Sequence, residues 1–241
     1  MKKYILIFFI LISSNTYSQK VTNLIFVGPE GVTEDFSKAL SFIVVKQFPE
    51  YFERLDYKKS GPLMKVRQYR DAELSSLEGK YYEYREDGRI LYSGNYSKNQ
   101  KNGDWNTYND TGKVIHSVRY ENNVIAETYD LDKKDSSITY ADEREAAFPG
   151  GDKAWMKYLV KSLEKKETAD KAINGGQVIA NFAVTNDGKL TDVFLSKSVE
   201  YALDEDTIEI ILKSPNWIPA WQNGHGVNAY RKQPLTYARN N

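Results

Sequence analysis

Between residues 79 and 120 the chain repeats itself at a fixed offset of 24 residues, and no other feature restricts its fold so strongly. Gly79-Lys80-Tyr81-Tyr82-Glu83-Tyr84 is matched by Gly103-Asp104-Trp105-Asn106-Thr107-Tyr108, Gly88-Arg89-Ile90 by Gly112-Lys113-Val114, and Tyr96 by Tyr120. A period of this length belongs to stacked units, none of which can bury its apolar face alone. Arg85-Glu86-Asp87-Gly88 and Asn109-Asp110-Thr111-Gly112 are turn sequences closing on a glycine that tolerates positive φ. Ile90–Tyr96 and Val114–Tyr120 are the return strands, so the stretch reads as an antiparallel meander with a turn every ~8–12 residues. The aromatics Tyr81, Tyr84, Tyr96, Trp105, Tyr108 and Tyr120 are expected to build the core of this sheet. The other reading makes them an aromatic surface for a protein or glycan partner.

This periodicity resembles MORN-like repeats of bacterial antitoxin-type and envelope proteins, over about residues 66–123. Lys65–Leu77, with Val66 and Tyr69, is a candidate degenerate first unit. Upstream, Leu24–Val27 reads as a short strand, Thr33 as the N-cap of a short helix through Leu40, and Phe42–Phe48 as a strand ended by Pro49.

The last third of the chain has a different grammar. Phe148-Pro149-Gly150-Gly151 precedes a segment in which Trp155, Leu159, Ser162 and Leu163 fall at helical spacing, with Asp152 as its cap. Val178, Ala180, Phe182 and Val184 alternate as in a half-buried strand, Asn186-Asp187-Gly188-Lys189 turns, and Leu190–Val199 returns with Val193 and Leu195 inward. A second helix starts at Leu203-Asp204-Glu205-Asp206, its acids suiting the positive dipole end, and Pro215 stops it. Pro215-Asn216-Trp217-Ile218-Pro219 and Asn223-Gly224 lead into a final strand, Val227–Tyr237. The expected fold class is therefore a β-rich repeat meander followed by an α+β domain, with an antiparallel three-stranded sheet and two helices.

These C-terminal motifs, in this order, resemble the C-terminal domain of TonB, the energy transducer of Gram-negative envelopes. The resemblance implies a protein-binding module that docks an extended segment of an outer-membrane transport receptor by strand addition. It places the docking edge on the last strand, at Val227, Asn228, Ala229, Tyr230, Arg231, Lys232, Gln233, Pro234 and Leu235. Proline cannot donate to a ladder, so Pro234 belongs at an edge or bulge, and Arg231 and Lys232 are charges of the kind that protect an open edge. A transducer also needs a membrane anchor and a long spacer, often proline-rich. Only Pro29, Pro49 and Pro62 precede Pro149, so no stiff spacer is present. The alternative is an envelope structural or adaptor protein whose repeat sheet is the main partner surface.

Met1-Lys2-Lys3, the apolar run Tyr4–Ile12 and Thr16-Tyr17-Ser18 read as a secretory signal cleaved before Gln19. Nine helical residues span only ~14 Å against a hydrocarbon core of about 30 Å, which disfavours an anchor. The expected organisation is signal peptide 1–18, β-rich repeat domain 19–130, polar linker 131–147 and TonB-like domain 148–241. The expected location is the periplasm, with no stable membrane anchor after cleavage. Removing residues 1–18 leaves a net charge of −2, which argues against nucleic acid as a partner. There is no cysteine, hence no disulfide and no thiolate-ligated metal. Asp130, Asp132 and Asp135 lack the glycine and glutamate of a calcium loop. The two histidines, His116 and His225, lie in no catalytic motif, and neither a nucleophile elbow, an HExxH nor a phosphate-cradling loop occurs. No enzyme activity, cofactor or metal is expected.

Overall fold

The computed structural model describes residues 19–131, 143–166, 168, 172–222 and 224–238. The expected signal segment and residues 132–142 of the expected linker, including Asp132 and Asp135, lie outside them. The chain divides into two compact units, residues 1–133 and 134–241.

The first unit is one ten-stranded antiparallel sheet. Its strands are β1 Lys20–Gly28, β2 Gly31–Thr33, β3 Ser41–Gln47, β4 Phe52–Lys58, β5 Leu63–Tyr69, β6 Leu77–Tyr84, β7 Ile90–Ser97, β8 Gln100–Tyr108, β9 Val114–Glu121 and β10 Val124–Asp130. From β10 back to β3 each strand pairs with its neighbour in sequence, then β1 and β2 follow. The helix expected from Thr33 to Leu40 is instead β2 plus a short 3-10 turn, Phe36–Lys38, capped by Asp35. Phe36 packs edge-on against Phe26 at 5.1 Å, and the Leu40 amide donates to the Val27 carbonyl, so the segment is held against the sheet before a helical turn can propagate.

The 24-residue period is reproduced down to individual hydrogen bonds. Asn99 donates its amide to the Leu77 carbonyl at 3.0 Å and accepts the Leu77 amide on its side chain at 2.7 Å. Asn123 does the same to Lys101, at 2.9 and 2.6 Å. Both asparagines have positive φ, at 65° and 69°, which Asn tolerates better than most residues. The turns at 85–89 and 109–113 carry the same pair of backbone bonds, with Gly88 and Gly112 at φ 81° and 77°.

Strand alternation sorts the repeat aromatics onto two faces. Tyr84 and Tyr108 are buried with Val44, Leu55, Tyr57, Leu63 and Ile90, and Ser93 Oγ bonds the Tyr108 hydroxyl at 2.9 Å. On the opposite face Tyr81, Tyr96, Trp105 and Tyr120 form a second cluster with ring centroids 5.1–6.3 Å apart. Trp105 lies over Gly94, the only residue type whose lack of a side chain leaves room for the indole: a Cβ there would sit 2.3 Å from the ring.

The second unit holds helix α1 Gly151–Leu163, helix α2 Tyr201–Leu212, and strands β11 Gly176–Val184, β12 Leu190–Lys197, β13 Ala220–Gln222, β14 His225–Val227 and β15 Ala229–Tyr237. The main sheet is antiparallel in the order β12-β11-β15, and β13 and β14 form a separate ribbon. Helix α1 is capped by Gly150 in the left-handed region without a side-chain bond, so Asp152 sits in the first turn and is not the cap. Phe148, Trp155, Tyr158, Phe182 and Trp217 pack as one aromatic core, with centroids 5.0–5.8 Å apart. The acids expected to complement the dipole at the start of α2 are partly core groups. Asp204 is fully buried and accepts from Ser198 Oγ at 2.5 Å and the Val199 amide at 3.1 Å. Buried Asp206 pairs with Lys166 at 2.8 Å.

Residues 143–147, expected to belong to the linker, run antiparallel to the start of β13. Arg144 exchanges both backbone bonds with Trp221, and Ala147 does so with Ile218. Ala146 is fully buried there. The apolar Ala146-Ala147-Phe148 triplet after the charged Glu143-Arg144-Glu145 was the signal for this.

Candidate functional site

The expected docking residues fall into two groups. Ala229, Tyr230, Arg231, Lys232, Gln233, Pro234 and Leu235 lie on β15, at one edge of the main sheet. Val227 and Asn228 do not. Val227 pairs with Ala220 in the β13–β14 ribbon, and the Asn228 side chain accepts the Asn186 amide at 2.9 Å, fastening the strand's entry to the β11–β12 turn. The edge strand therefore begins two residues later than the sequence indicated.

β15 pairs with β11 from Ala229↔Val184 to Tyr237↔Gly176 without a register shift. Pro234 has no N–H, so its position must be one that bonds away from β11. In an antiparallel ladder these positions alternate. Tyr230 and Thr236 thus turn their amides and carbonyls to the outer edge, with Pro234 offering only a carbonyl. Arg231, Gln233, Leu235 and Tyr237 bond to β11. Among the described residues no strand lies on that outer side.

The other edge of the sheet is built differently. β12 pairs with β11 through two register shifts, beside Ala180 and Asn181, and Asp192 takes φ 52°. The second shift reverses the side-chain phase, so Leu190 and Leu195 are buried while Val193, expected inward, is only half-buried. Bulges of this kind twist an edge away from further pairing. β15 is thus the regular edge of the sheet.

Side chains fix β15 from its helix-facing side. Trp155 Nε1 donates to Gln233 Oε1 at 2.6 Å, Leu235 is buried, and the Tyr237 hydroxyl is hydrogen-bonded to Thr207 Oγ1 at 2.9 Å. Burial pushes the Tyr237 phenol up to about 12. Arg231 reaches Glu145 Oε2 at 2.5 Å and stacks 5.9 Å above the Trp217 ring. Arg231, expected as an edge-guarding charge, is a strut between β15 and the 143–147 segment. On the solvent side stand Tyr230, 75 % exposed, with Lys232, Pro234 and Thr236.

His116 bonds Asp130 at 2.7 Å, an exposed structural pair. Among the described residues no group of three or more His, Asp or Glu could hold a metal ion, and no helix is long and apolar enough to cross a membrane.

Among the described residues the C-terminal unit thus combines a three-stranded antiparallel sheet, two helices and one regular sheet edge with no strand beside it. Residues 167–238, from just before β11 to the end of β15, match the family model described as Gram-negative bacterial TonB protein C-terminal. The C-terminal unit is thus similar to a protein-interaction domain of Gram-negative envelope proteins, and that family is not enzymatic. Helix α1 and the repeat sheet lie outside the matched residues. No curated protein and no solved structure matches the chain.

Proposed function

We propose that this chain is an exported envelope protein whose C-terminal unit docks an extended segment of an outer-membrane receptor, or of another envelope protein, along the outer edge of β15. The observation that carries this reading is the contrast between the two sheet edges: β12 is bulged, and β15 is regular and has no strand beside it among the described residues. The match of residues 167–238 to the TonB C-terminal model supports the same class of partner. Five or six backbone bonds at about 0.5–1.5 kcal/mol each work against about 1–2 kcal/mol per ordered peptide residue, so the affinity expected is on the order of micromolar. The segment before Gln19 acts as a cleaved signal, delivering the protein to the periplasm, where N-terminal sequencing should find Gln19 first.

A proline pair tests the docking edge. Tyr230→Pro removes an outward donor and should weaken peptide binding while the fold survives. Ala229→Pro removes a donor to β11 and should instead destabilise the sheet. Unchanged peptide binding by a folded Tyr230→Pro variant would sink the proposal.

One observation favours a second reading, an envelope adaptor working through its MORN-like repeat sheet. The terminal strand β10 is exposed along its whole length and carries Val124 and Ile125 at 68 % and 59 % exposure. Pulldown of envelope proteins with each unit deleted in turn separates the two.

A further inference from the structure

We propose that the outward face of α1 is a docking surface for an anionic phospholipid bilayer. The helix buries Trp155 and Leu159 and turns Met156 and Val160, one turn apart, to solvent at 55 % and 51 % exposure. Beside them Lys153, Lys157 and Lys161 follow at intervals of four, all exposed, with Lys165 continuing the series past the helix end. Among the described residues none of these four lysines forms an ion pair, whereas Lys166 next to them is held by Asp206 and Glu209. Like charges four apart on a helix repel, so the spacing does nothing for the helix itself. A shallow, open concavity of about 520 Å³ lies against Met156, Lys157, Val160, Lys161 and Glu164.

On this face the exposed apolar pair Met156 and Val160 lies alongside the row of lysines one residue further on. Lysine stems lie along apolar surface and keep their ammonium groups at the polar boundary, which is how interfacial helices meet headgroups and acyl chains together. An acidic protein surface would satisfy the charges but would leave exposed Met156 and Val160 unexplained. Asp152 and Glu164 are also exposed on this side and offset two of the four lysines. A net two lysines at roughly fivefold each give about a 20-fold preference for an anionic bilayer. The α1 residues that reach β15, Trp155 among them, lie on the buried side, so the lipid face and the strand edge do not compete.

The experiment is cosedimentation of the chain from Gln19, which keeps every described residue, with vesicles rich in phosphatidylglycerol and with vesicles of phosphatidylcholine alone. The expected result is about 20-fold stronger partitioning onto the anionic vesicles, abolished by high salt and by Lys153→Glu/Lys157→Glu/Lys161→Glu, and weakened by Met156→Gln/Val160→Gln. The same charge change on the repeat sheet, Lys20→Glu/Lys98→Glu/Lys113→Glu, should leave partitioning on the anionic vesicles nearly intact. If the glutamate triple loses its helical circular dichroism, the glutamine triple replaces it. Equal partitioning onto both vesicle types overturns the proposal, as does equal loss in the repeat-sheet triple. Binding to polyglutamate with none to vesicles would also overturn it and assign the face to an acidic protein.

Discussion

Replacing Gly94 by alanine adds one methyl group beneath Trp105 and should destabilise the repeat sheet. The new Cβ would lie 2.3, 2.4 and 2.8 Å from Cδ2, Cε2 and Cγ of the indole, where carbon atoms normally approach to about 3.5–4.0 Å. The ring must lift by about 1 Å. It is held by its Nε1 bond to the Asn95 carbonyl at 3.1 Å and by Tyr81, Tyr96 and Tyr120. Overpacking costs about 1–3 kcal/mol, and a lost indole bond about 1 kcal/mol. Alanine recovers about 0.5–1 kcal/mol of the entropy that glycine forfeits in a strand. The net expectation is about 2 kcal/mol, or about 10 °C for a unit of roughly this size. Calorimetry of the full chain reads the shift. A double-mutant cycle with Trp105→Leu isolates the cause, because Gly94→Ala should cost almost nothing once the indole is gone. Additive losses, or a neutral Gly94→Ala, would refute the reasoning.

Asn99→Ala and Asn123→Ala should each cost about 1–2 kcal/mol, from a lost side-chain bond and an alanine forced to positive φ, seen as a fall in urea midpoint. Gly188→Ala should cost more than 3 kcal/mol, since its Cβ would meet the Trp217 carbonyl oxygen at 2.2 Å and its φ is 80°. The assay is whether the 143–238 signals vanish from the NMR spectrum while those of 19–131 persist. The Asp187 carboxyl is pulled from 3.8 to about 2 by hydrogen bonds from Lys189 and Thr185. Its contribution is complete above about pH 3.8 and fades as pH falls toward 2, so Asp187→Asn should flatten the stability curve in that window, measured by urea titration at each pH.

Much of this architecture could be read from residue order, and its failures have local causes. The repeat was legible because Gly79, Gly88, Gly103 and Gly112 occupy backbone positions that need positive φ, and such needs recur with the fold. The inward run Val178, Ala180, Phe182 and Val184 was legible because β11 is central and buries one face throughout. β12 was not, because Asp192 at positive φ reverses the alternation midway and nothing in Leu190–Lys197 announces a bulge. Thr33–Leu40 carries helix-start residues but too few apolar positions to propagate a turn against the pull of Val27 and Phe26. For the candidate site, Pro234 fixed which strand is an edge and, through its missing N–H, which amides face outward. The role of Arg231 was hidden, because its partner Glu145 is 86 residues away.

The central claim is that the outer edge of β15 accepts an extended peptide, and amide hydrogen exchange along that strand tests it most directly. In the free protein the amides of Arg231, Gln233, Leu235 and Tyr237 should be protected by β11, and those of Tyr230 and Thr236 should exchange fast. Saturation with an extended segment from an outer-membrane receptor should protect Tyr230 and Thr236 selectively and leave β12 and residues 19–131 unchanged. Protection that appears only in the repeat sheet or on β12, with Tyr230 and Thr236 still exchanging freely, would contradict the account.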